Sequence, residues 1–539
     1  MFRKLLIVGL LVFVATCSWS LAQNAPSPDA PGQGTGGGLT EGEASLARAQ
    51  LLYRTGNFKD AIAEYQNLLK VNPGSPEVYA GLSRVYRKQE KIDEAFVAAT
   101  KAVELGPTSS EAHVALGEVY FRQARMAEAQ KEFVGVLQSD RKNARAFLGL
   151  ARINHSISLY RRYKAMIEEA HRLDPIDPEI QREWLRTLPR AERIKVLEAY
   201  LAGENNDDEE VRAATARYLG LQIALEKEPE RRCQLSVKAR STETDLVSLV
   251  HDPTHPRGYG LKVGINGKSS TLMLDTGASG VLIDRKLAEK AGIQPLARSE
   301  VQGIGDKGTK SAYRGYADSI KVGSLEFRDC LVEVIEGRTG LDEDGLIGAD
   351  VFSSFLVDLD FPNAKLKLSE LPKIPNGPAE TASLQIGGRA DADFQDSYIA
   401  PEMKSYVRIF RFGHDLLIPT LVGDVPQKLF LIDTGSNTNM ISLAAAREVT
   451  KVRDDPYTKM KGLSGSAKNV FEANKVVLQF ANFRQENQHL VAFDLSAISK
   501  STGMEVSGIL GFVVLRTMEM KIDYRDGLVG FTYDPKRWQ

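Results

Sequence analysis

The tripeptide Asp-Thr-Gly occurs twice, at residues 275–277 and 433–435, each time after an apolar run typical of a buried strand. Two carboxyl groups brought close together cannot both ionise, so they share one proton. Such a pair can take a proton from water with one oxygen and protonate a carbonyl with another. A single copy would be weak evidence, because Asp-Thr-Gly is also an ordinary turn. Two copies in matching contexts predict that Asp275 and Asp433 act together.

Other hydrolytic chemistries find little support in the sequence. No Gly-x-Ser-x-Gly motif surrounds a credible nucleophile, and His-Glu-x-x-His is absent. The seven histidines and three cysteines show no spacing typical of metal ligands. The sequence therefore predicts hydrolysis that needs no metal and no cofactor.

The surroundings of the two tripeptides match over more than a hundred residues. Each Asp follows two short alternating strands and precedes a helical pattern. A glycine follows the Asp at an offset of 28 (Gly303) or 29 (Gly462), and a Gly-apolar-apolar-Gly segment begins at an offset of 70 or 75. The C-terminal part of the chain is thus a tandem duplication, whose two Asp residues lie 158 positions apart.

These motifs resemble the aspartic proteases over roughly residues 240–539. Each half resembles a retropepsin lobe, and the fusion of two lobes is similar to the arrangement in pepsin. The resemblance implies that Asp275 and Asp433 are the catalytic pair, with Thr276 and Thr434 joining the two loops by reciprocal hydrogen bonds. It also implies an extended polypeptide substrate in the cleft between the lobes.

The resemblance assigns supporting roles to the residues that follow. The backbone N–H groups of Gly277 and Gly435 should point at the carboxylates. The next residue is Ala278 in one loop and Ser436 in the other, and the Ser436 hydroxyl could bond the outer oxygen of Asp433. We therefore expect an asymmetric pair, with the Asp433 anion better supported.

Glycine-bearing segments at 303–312 and 462–470 are candidates for flaps over the substrate. Ordinary hairpin turns are the alternative interpretation. The flap candidates are Gly303, Ile304, Gly305, Gly462, Leu463 and Ser464.

A period of 34 residues runs through the N-terminal half and is marked by Ala61, Ala95 and Ala129. Small residues recur where paired helices cross closely. The pattern resembles tetratricopeptide repeats, with four copies over 42–177 and a degenerate fourth that carries Tyr163 in place of alanine. Such repeats imply a surface that binds a protein partner, and a spacer or self-assembly role is the alternative.

The N-terminus is typical of a secretory signal, with Arg3 and Lys4 before an apolar segment and a small-residue cleavage site at residues 20–22. Export to the periplasm or outside the cell is therefore expected, without a membrane span after cleavage. A retained anchor and lipidation of Cys17 are the alternatives. The formal net charge of −1 provides no basic field for nucleic acid. The sequence leaves open whether Cys233 and Cys330 pair.

We thus predict an all-α tetratricopeptide solenoid followed by two all-β retropepsin-like lobes. The predicted segments are a signal peptide (1–22), a flexible linker (23–41), repeats (42–177), a helical cap or linker (178–235), lobe one (240–369), a connector (370–397) and lobe two (398–539). The predicted function is that of an exported aspartic-type endopeptidase. The alternative is a non-catalytic scaffold that binds polypeptide through repeats and inactive lobes. The lobes could pair within one chain or between two chains, and we expect pairing within one.

Overall fold

A computed structural model describes residues 5–7, 13–14, 41–203, 209–236, 241–252, 255–303, 308–337, 343–375, 398–463, 465–467 and 469–535. The chain divides into two compact units, one with the helices up to Glu226 and one with the strands from Gln234 onward. The predicted fold class, helical repeats followed by a β-rich region, is confirmed. Cys17, the linker and most of the connector lie outside the described residues.

The helical unit consists of paired antiparallel helices. Its helices in the described ranges are α1 Glu41–Arg54, α2 Phe58–Val71, α3 Pro76–Lys88, α4 Ile92–Leu105, α5 Ser110–Arg122, α6 Met126–Ser139, α7 Ala144–Ser156, α8 Tyr160–Leu173, α9 Pro178–Thr187, α10 Arg190–Ala202 and α11 Glu209–Glu226. Helices α1 to α8 form four pairs over the stretch predicted to hold four repeats, and α9 to α11 follow them. None of the described helices is long and apolar enough to cross a membrane.

The 34-residue period appears in the helix ends as well as in the core. A polar side chain caps the start of α3, α5, α7 and α9 by accepting a backbone N–H two or three residues later. A left-handed residue ends the first helix of each pair. The capping residues are Ser75, Ser109, Asn143 and Asp177, and the left-handed residues are Gly56, Glu90, Ala124 and Ser158.

Small residues allow the paired helices to approach each other, as the sequence predicted. Ala61, Ala95 and Ala129 are completely buried. A side chain at Gly117 would lie within 2.8 Å of the Phe133 ring, so a larger residue would force α5 and α6 apart.

The first lobe of the β-rich unit is a sheet built mostly from antiparallel hairpins. The N-terminal strand β1 Leu5–Ile7 pairs with a strand of the second lobe. The elements of the first lobe are β2 Phe13–Val14, β3 Gln234–Leu235, β4 Ser241–Asp252, β5 His255–Ile265, β6 Lys268–Asp275, β7 Val281–Asp284, α12 Arg285–Lys290, β8 Ala297–Gln302, β9 Lys310–Val322, β10 Leu325–Ile335, β11 Gly345–Gly348, β12 Phe355–Asp360 and β13 Lys365–Glu370. Within this lobe β6 and β7 both pair with β11, so the loop between them emerges above a buried strand.

The second lobe repeats this plan. Its elements are β14 Val407–Arg408, β15 Phe410–Phe412, β16 Asp415–Val422, β17 Lys428–Asp433, β18 Met440–Ser442, α13 Leu443–Val449, β19 Val452–Asp454, β20 Lys459–Gly462, β21 Gly465–Ala467, β22 Phe471–Ala473, β23 Val476–Phe480, β24 Phe483–Asn487, β25 Leu490–Phe493, α14 Ser496–Thr502, β26 Gly508–Gly511, α15 Phe512–Leu515, β27 Met518–Asp523 and β28 Leu528–Tyr533. Here β17 and β18 pair with β26, as β6 and β7 pair with β11.

A backbone ladder joins the two lobes. Strand β12 of the first lobe pairs antiparallel with β27 of the second, and the sheet continues through β13 on one side and β28 on the other. One hydrophobic core includes Val357 from β12 and Ile522 from β27, so buried apolar surface adds to the ladder. The lobes of a single chain therefore pair with each other.

A disulfide bond joins Cys233 to Cys330, a pairing that the sequence left open. It fastens the segment that contains β3 to β10, where Leu235 lies opposite Phe327. The stretch 178–235 was predicted as helical cap or linker, and its last residues instead form a strand of the first lobe. Two Cys residues that lie 97 positions apart give no sequence signal of this contact.

Candidate active site

Strands β6 and β17 end at the two acidic residues that the sequence singled out. Asp275 and Asp433 are both completely buried, and the backbone of Gly435, two residues after Asp433, lies against the carboxyl group of Asp275. Oδ2 of each carboxyl receives no N–H or O–H donor from any other described residue. The structure thus brings together two acids that lie 158 positions apart in the sequence, with one oxygen of each left for chemistry.

Reciprocal hydrogen bonds join the two loops. The Thr276 N–H donates to Thr434 Oγ1 (3.0 Å), and the Thr434 N–H donates to Thr276 Oγ1 (3.0 Å). Each hydroxyl in turn donates to a carbonyl of the other lobe, Thr276 Oγ1 to Ile432 (2.8 Å) and Thr434 Oγ1 to Leu274 (3.0 Å). All four bonds are buried, so they hold the two loops in a fixed relation.

Backbone amides hold the inner oxygens of the pair. The Gly277 N–H donates to Asp275 Oδ1 (2.8 Å), and the Gly435 N–H donates to Asp433 Oδ1 (2.9 Å). The Ser436 N–H adds a second bond to Asp433 Oδ1 (3.1 Å). The pair is therefore asymmetric in the expected direction, but for another reason. The Ser436 hydroxyl donates to the Thr438 carbonyl (3.0 Å) and does not reach the carboxylate.

Burial and mutual repulsion change the acidity of both groups. Burial, and then the neighbouring Asp433 carboxyl, raise the pKa of Asp275 well above its ordinary value. Burial raises the pKa of Asp433 to about 6, while the neighbouring Asp275 carboxyl group and the amides of Gly435 and Ser436 limit the increase. The second amide bond to Asp433 favours Asp433 over Asp275 as the ionised member of the pair.

The two Gly-apolar-apolar-Gly segments lie directly beneath the loops. Gly348 of β11 is opposite Asp275, and Gly511 of β26 is opposite Asp433. A side chain at Gly511 would lie within 2.8 Å of the Ser436 carbonyl, so only glycine fits against this loop. These two segments, here called the floor segments, pack under the loops and fix the position of each carboxyl group.

Two polar residues that contact the loops or the floor segments were not predicted from the sequence. Asp350 accepts the Ser279 hydroxyl (2.9 Å) and the Gly280 N–H (2.8 Å) in the first lobe. In the second lobe Asn439 accepts the Gly511 N–H (2.9 Å). The two lobes use different residue types, at different distances in sequence from the acidic residue, to make these bonds. A comparison of the two halves of the sequence therefore did not reveal them.

The flap candidates lie on hairpin arms, as far as they can be placed. Gly303 follows β8, whereas Ile304, Gly305 and Ser464 lie outside the described residues. Gly462 pairs with Gly465 at the end of the β20–β21 hairpin. Leu463 is buried in an apolar cluster together with lobe-one residues, among them Val301 and Ala278. The hairpin of lobe two thus reaches the loop that carries Asp275.

Within the residues that the structure places, no group of three or more His, Cys, Asp or Glu side chains is arranged to hold a metal ion. Two adjacent carboxyl groups can carry out acid–base chemistry by sharing one proton.

Comparison with known protein families finds the same two kinds of module. Residues 261–351 match a family described as aspartyl protease, and residues 46–110 and 86–153 match tetratricopeptide repeat families. The resemblance inferred from the motifs is thereby confirmed. The chain carries tetratricopeptide repeats and an aspartyl protease-like unit.

Individual relatives are more distant. UBA domain-containing protein Mud1 of Schizosaccharomyces pombe is 26% identical over 188 residues, which make up 31% of this chain and 55% of that protein. The chain therefore spans about half the length of this relative. An aspartic proteinase from Irpex lacteus has a TM-score of 0.34 and 13% identity over 54% of this chain and 97% of its own. The Arabidopsis OM64 TPR domain has a TM-score of 0.20 and 18% identity over 21% of this chain and 94% of its own.

Proposed function

We propose that this protein is an aspartic-type endopeptidase that cleaves peptide bonds with a water molecule activated between Asp275 and Asp433. One observation carries the proposal. The loops joined by the threonine bonds bring two buried carboxyl groups together, and Oδ2 of each accepts no hydrogen bond from a described residue. Burial of two acids costs free energy and raises the pKa of both. A pair that served only to stabilise the lobes would gain nothing from this cost.

The additional amide bond to Asp433 suggests a role for each acid, because it favours Asp433 as the ionised member. Ionised Asp433 takes a proton from water as the water oxygen bonds to the peptide carbonyl carbon. Protonated Asp275 gives its proton to the carbonyl oxygen, so a neutral tetrahedral diol forms. In the second step the C–N bond breaks, Asp433 gives its proton to the leaving amine, and Asp275 recovers a proton from one hydroxyl. The pair returns to its starting state with no net change in protons.

A strand-like mode of substrate binding fits the edges around the pair. Strand β20 of one hairpin pairs with β1, and β8 of the other pairs with β2, so both edges can accept an additional strand. Main-chain hydrogen bonds to an extended polypeptide would carry the affinity.

We further propose that the protein is exported and that the repeats recruit a protein. The signal-like segment at 1–22 supports export. The disulfide also supports it, because disulfides persist in oxidising compartments. Tetratricopeptide repeats commonly bind polypeptide, which supports recruitment.

Asn substitutions at the two acids test the catalytic proposal. We expect Asp275→Asn and Asp433→Asn each to lower the cleavage rate of a fluorescently labelled unfolded protein by at least about 1,000-fold, since each removes one half of the acid–base pair. Asp454→Asn, on an exposed strand, is the matched control and should cleave at the wild-type rate.

The pH profile gives an independent measurement. Cleavage should rise as the pH passes about 6, where Asp433 ionises, and should fall again at higher pH when Asp275 loses its proton. Wild-type activity in either Asn variant would reject the catalytic pair. A wild-type chain that binds the unfolded protein without cleaving it would favour the scaffold interpretation.

A further inference from the structure

The strand pair that leads to each acidic residue differs between the two lobes at one position. In the first lobe the register of β5 and β6, continued to the end of β6, places Gly258 opposite Asp275. In the second lobe the register of β16 and β17, continued to the end of β17, places Asp415 opposite Asp433. Asp433 therefore has an acidic residue across from it where Asp275 has a glycine.

Asp415 is placed to act on Asp433 through its charge. Directly opposite residues of an antiparallel pair point to the same side of the sheet, with Cβ atoms about 5 Å apart. In the first lobe, a Cβ atom at Gly258 would lie 3.0 Å from the Met273 methyl group and 3.7 Å from the Thr434 carbonyl oxygen. The position opposite the acid in that lobe thus faces the joined loops.

The Asp415 carboxyl group is buried and can change its charge with pH. It is almost fully buried, and its Oδ1 lies 3.4 Å from Nε2 of the neighbouring His414. Neither of these two atoms has a hydrogen-bond partner among the described residues. Burial raises the pKa of Asp415, an effect that His414 opposes and the Asp350 carboxyl group reinforces. Asp415 is therefore neutral in acid and becomes negative as the pH rises.

The charged and titratable groups on the elements around Asp415 are few. They are His414 in the turn before it, Asp433 on β17, Asp350 after β11, and Arg411 of β15, which donates to the Tyr524 carbonyl. Burial, and then the Asp415 carboxyl group, raise the pKa of Asp433. Asp415 is thus a buried acid next to the pair that the proposed mechanism does not yet use.

We propose that Asp415 is a further residue of the proposed active site, and that its negative charge keeps the shared proton on Asp275 and Asp433 up to a higher pH. A negative charge opposes the loss of a proton from a neighbouring acid. Asp415 acts through the pair and contacts no substrate in this role. Its effect on cleavage rests on the proposed function, whereas its effect on the proton can be measured without substrate.

Nuclear magnetic resonance of the full-length chain, with 13C-labelled aspartate carboxyl groups, measures the proton directly. Signals that disappear in Asp275→Asn and in Asp433→Asn identify the pair. In Asp415→Asn we expect the pair to lose its last proton at a pH at least about 0.5 units lower than in the wild type, since one nearby negative charge is removed. Asp454→Asn removes an exposed charge from the same lobe and should leave this pH unchanged.

The converse substitution places an acid in the first lobe. The nearest contact of a Cβ atom at Gly258 is the flexible end of Met273, so a small side chain can be accommodated there. Gly258→Asp should raise the pH at which the pair loses its last proton by at least about 0.5 units relative to Gly258→Asn, which adds the same shape without charge. This comparison provides a test even if Asp415→Asn fails to fold.

Cleavage of the labelled unfolded protein gives a second measurement. The alkaline limb of the kcat/KM profile should move to lower pH in Asp415→Asn by the same amount as the signals of the pair. A wild-type chain that does not cleave would refute the proposed function, and the resonance titration would still decide on Asp415.

Three results would overturn the inference. The first is an unchanged titration of the pair in a folded Asp415→Asn. The second is an equal shift in Asp454→Asn, which would reflect net charge rather than position. The third is the same titration of the pair in Gly258→Asp and Gly258→Asn.

Discussion

The reciprocal threonine bonds allow the contact between the lobes to be tested at single-residue level. Thr276→Val keeps the shape of the side chain but removes its hydroxyl. The buried Thr434 N–H then loses its acceptor, and the Ile432 carbonyl loses one of its donors. An unsatisfied buried group costs about 1–3 kcal/mol, so the substitution should destabilise the joined loops by roughly 2–4 kcal/mol.

Thr276→Ser is the matched control. It keeps both hydrogen bonds and loses one methyl group, which corresponds to about 1 kcal/mol of buried apolar surface. The comparison of Val with Ser therefore separates hydrogen bonding from packing.

Native-state hydrogen exchange suits this prediction better than global unfolding, because a chain with two units need not unfold in a single step. Exchange in peptides that span residues 428–436 should become about 30-fold to 1,000-fold faster in Thr276→Val, and about fivefold faster in Thr276→Ser. Equal exchange in the two variants would show that the hydroxyl does not hold the opposite loop. The symmetrical change Thr434→Val should have the same effect on the loop that carries Asp275.

Three further predictions concern stability. Glu179→Gln should destabilise the repeats by about 3–5 kcal/mol in thermal unfolding, because it leaves buried cations without their anionic partner. The control Glu168→Gln, on an exposed helix face, should destabilise them by less than about 0.5 kcal/mol. Reduction of the disulfide should lower the free energy of unfolding of the β-rich unit by about 2–4 kcal/mol, because the disulfide closes a loop between residues 97 positions apart. Calorimetry with and without reductant should show the corresponding decrease in unfolding temperature. Burial and the neighbouring Glu519 carboxyl raise the pKa of Asp358 to about 7, so folding favours its protonated form. The β-rich unit should accordingly lose stability as the pH rises from about 4 to about 7, and a calorimetric pH series on Asp358→Asn should show a smaller loss; an identical slope in the variant would contradict the assignment.

The elements that repeat were the ones that the sequence predicted well. Asp275 and Asp433 stood out because two copies of one motif follow strands of the same character, and Ala61 and its equivalents stood out because the period is constant. Both signals come from local spacing, which the chain preserves when it folds. The helical repeats and the β-rich region could be inferred for this reason.

Features that depend on long-range contacts could not be inferred in this way. The sequence predicts that the Ser436 hydroxyl bonds the Asp433 carboxylate, and only the folded loop shows that it bonds the Thr438 carbonyl instead. A glutamate at the start of a helix, such as Glu179, usually faces solvent, and its burial depends on Tyr53 more than a hundred residues earlier. The pairing of Cys233 with Cys330 likewise depends on where β3 lies on the sheet.

The ladder between β12 and β27 constrains how the molecule admits a substrate. Moving the lobes apart as rigid bodies would break a run of five paired positions and the threonine bonds above it. A clamshell motion would therefore be costly, and in the proposed protease the substrate would enter through movement of the hairpins. On the proposed function, the acids and the hairpins belong to separate parts of the chain, so substitutions in the hairpins would change selectivity without moving the acids.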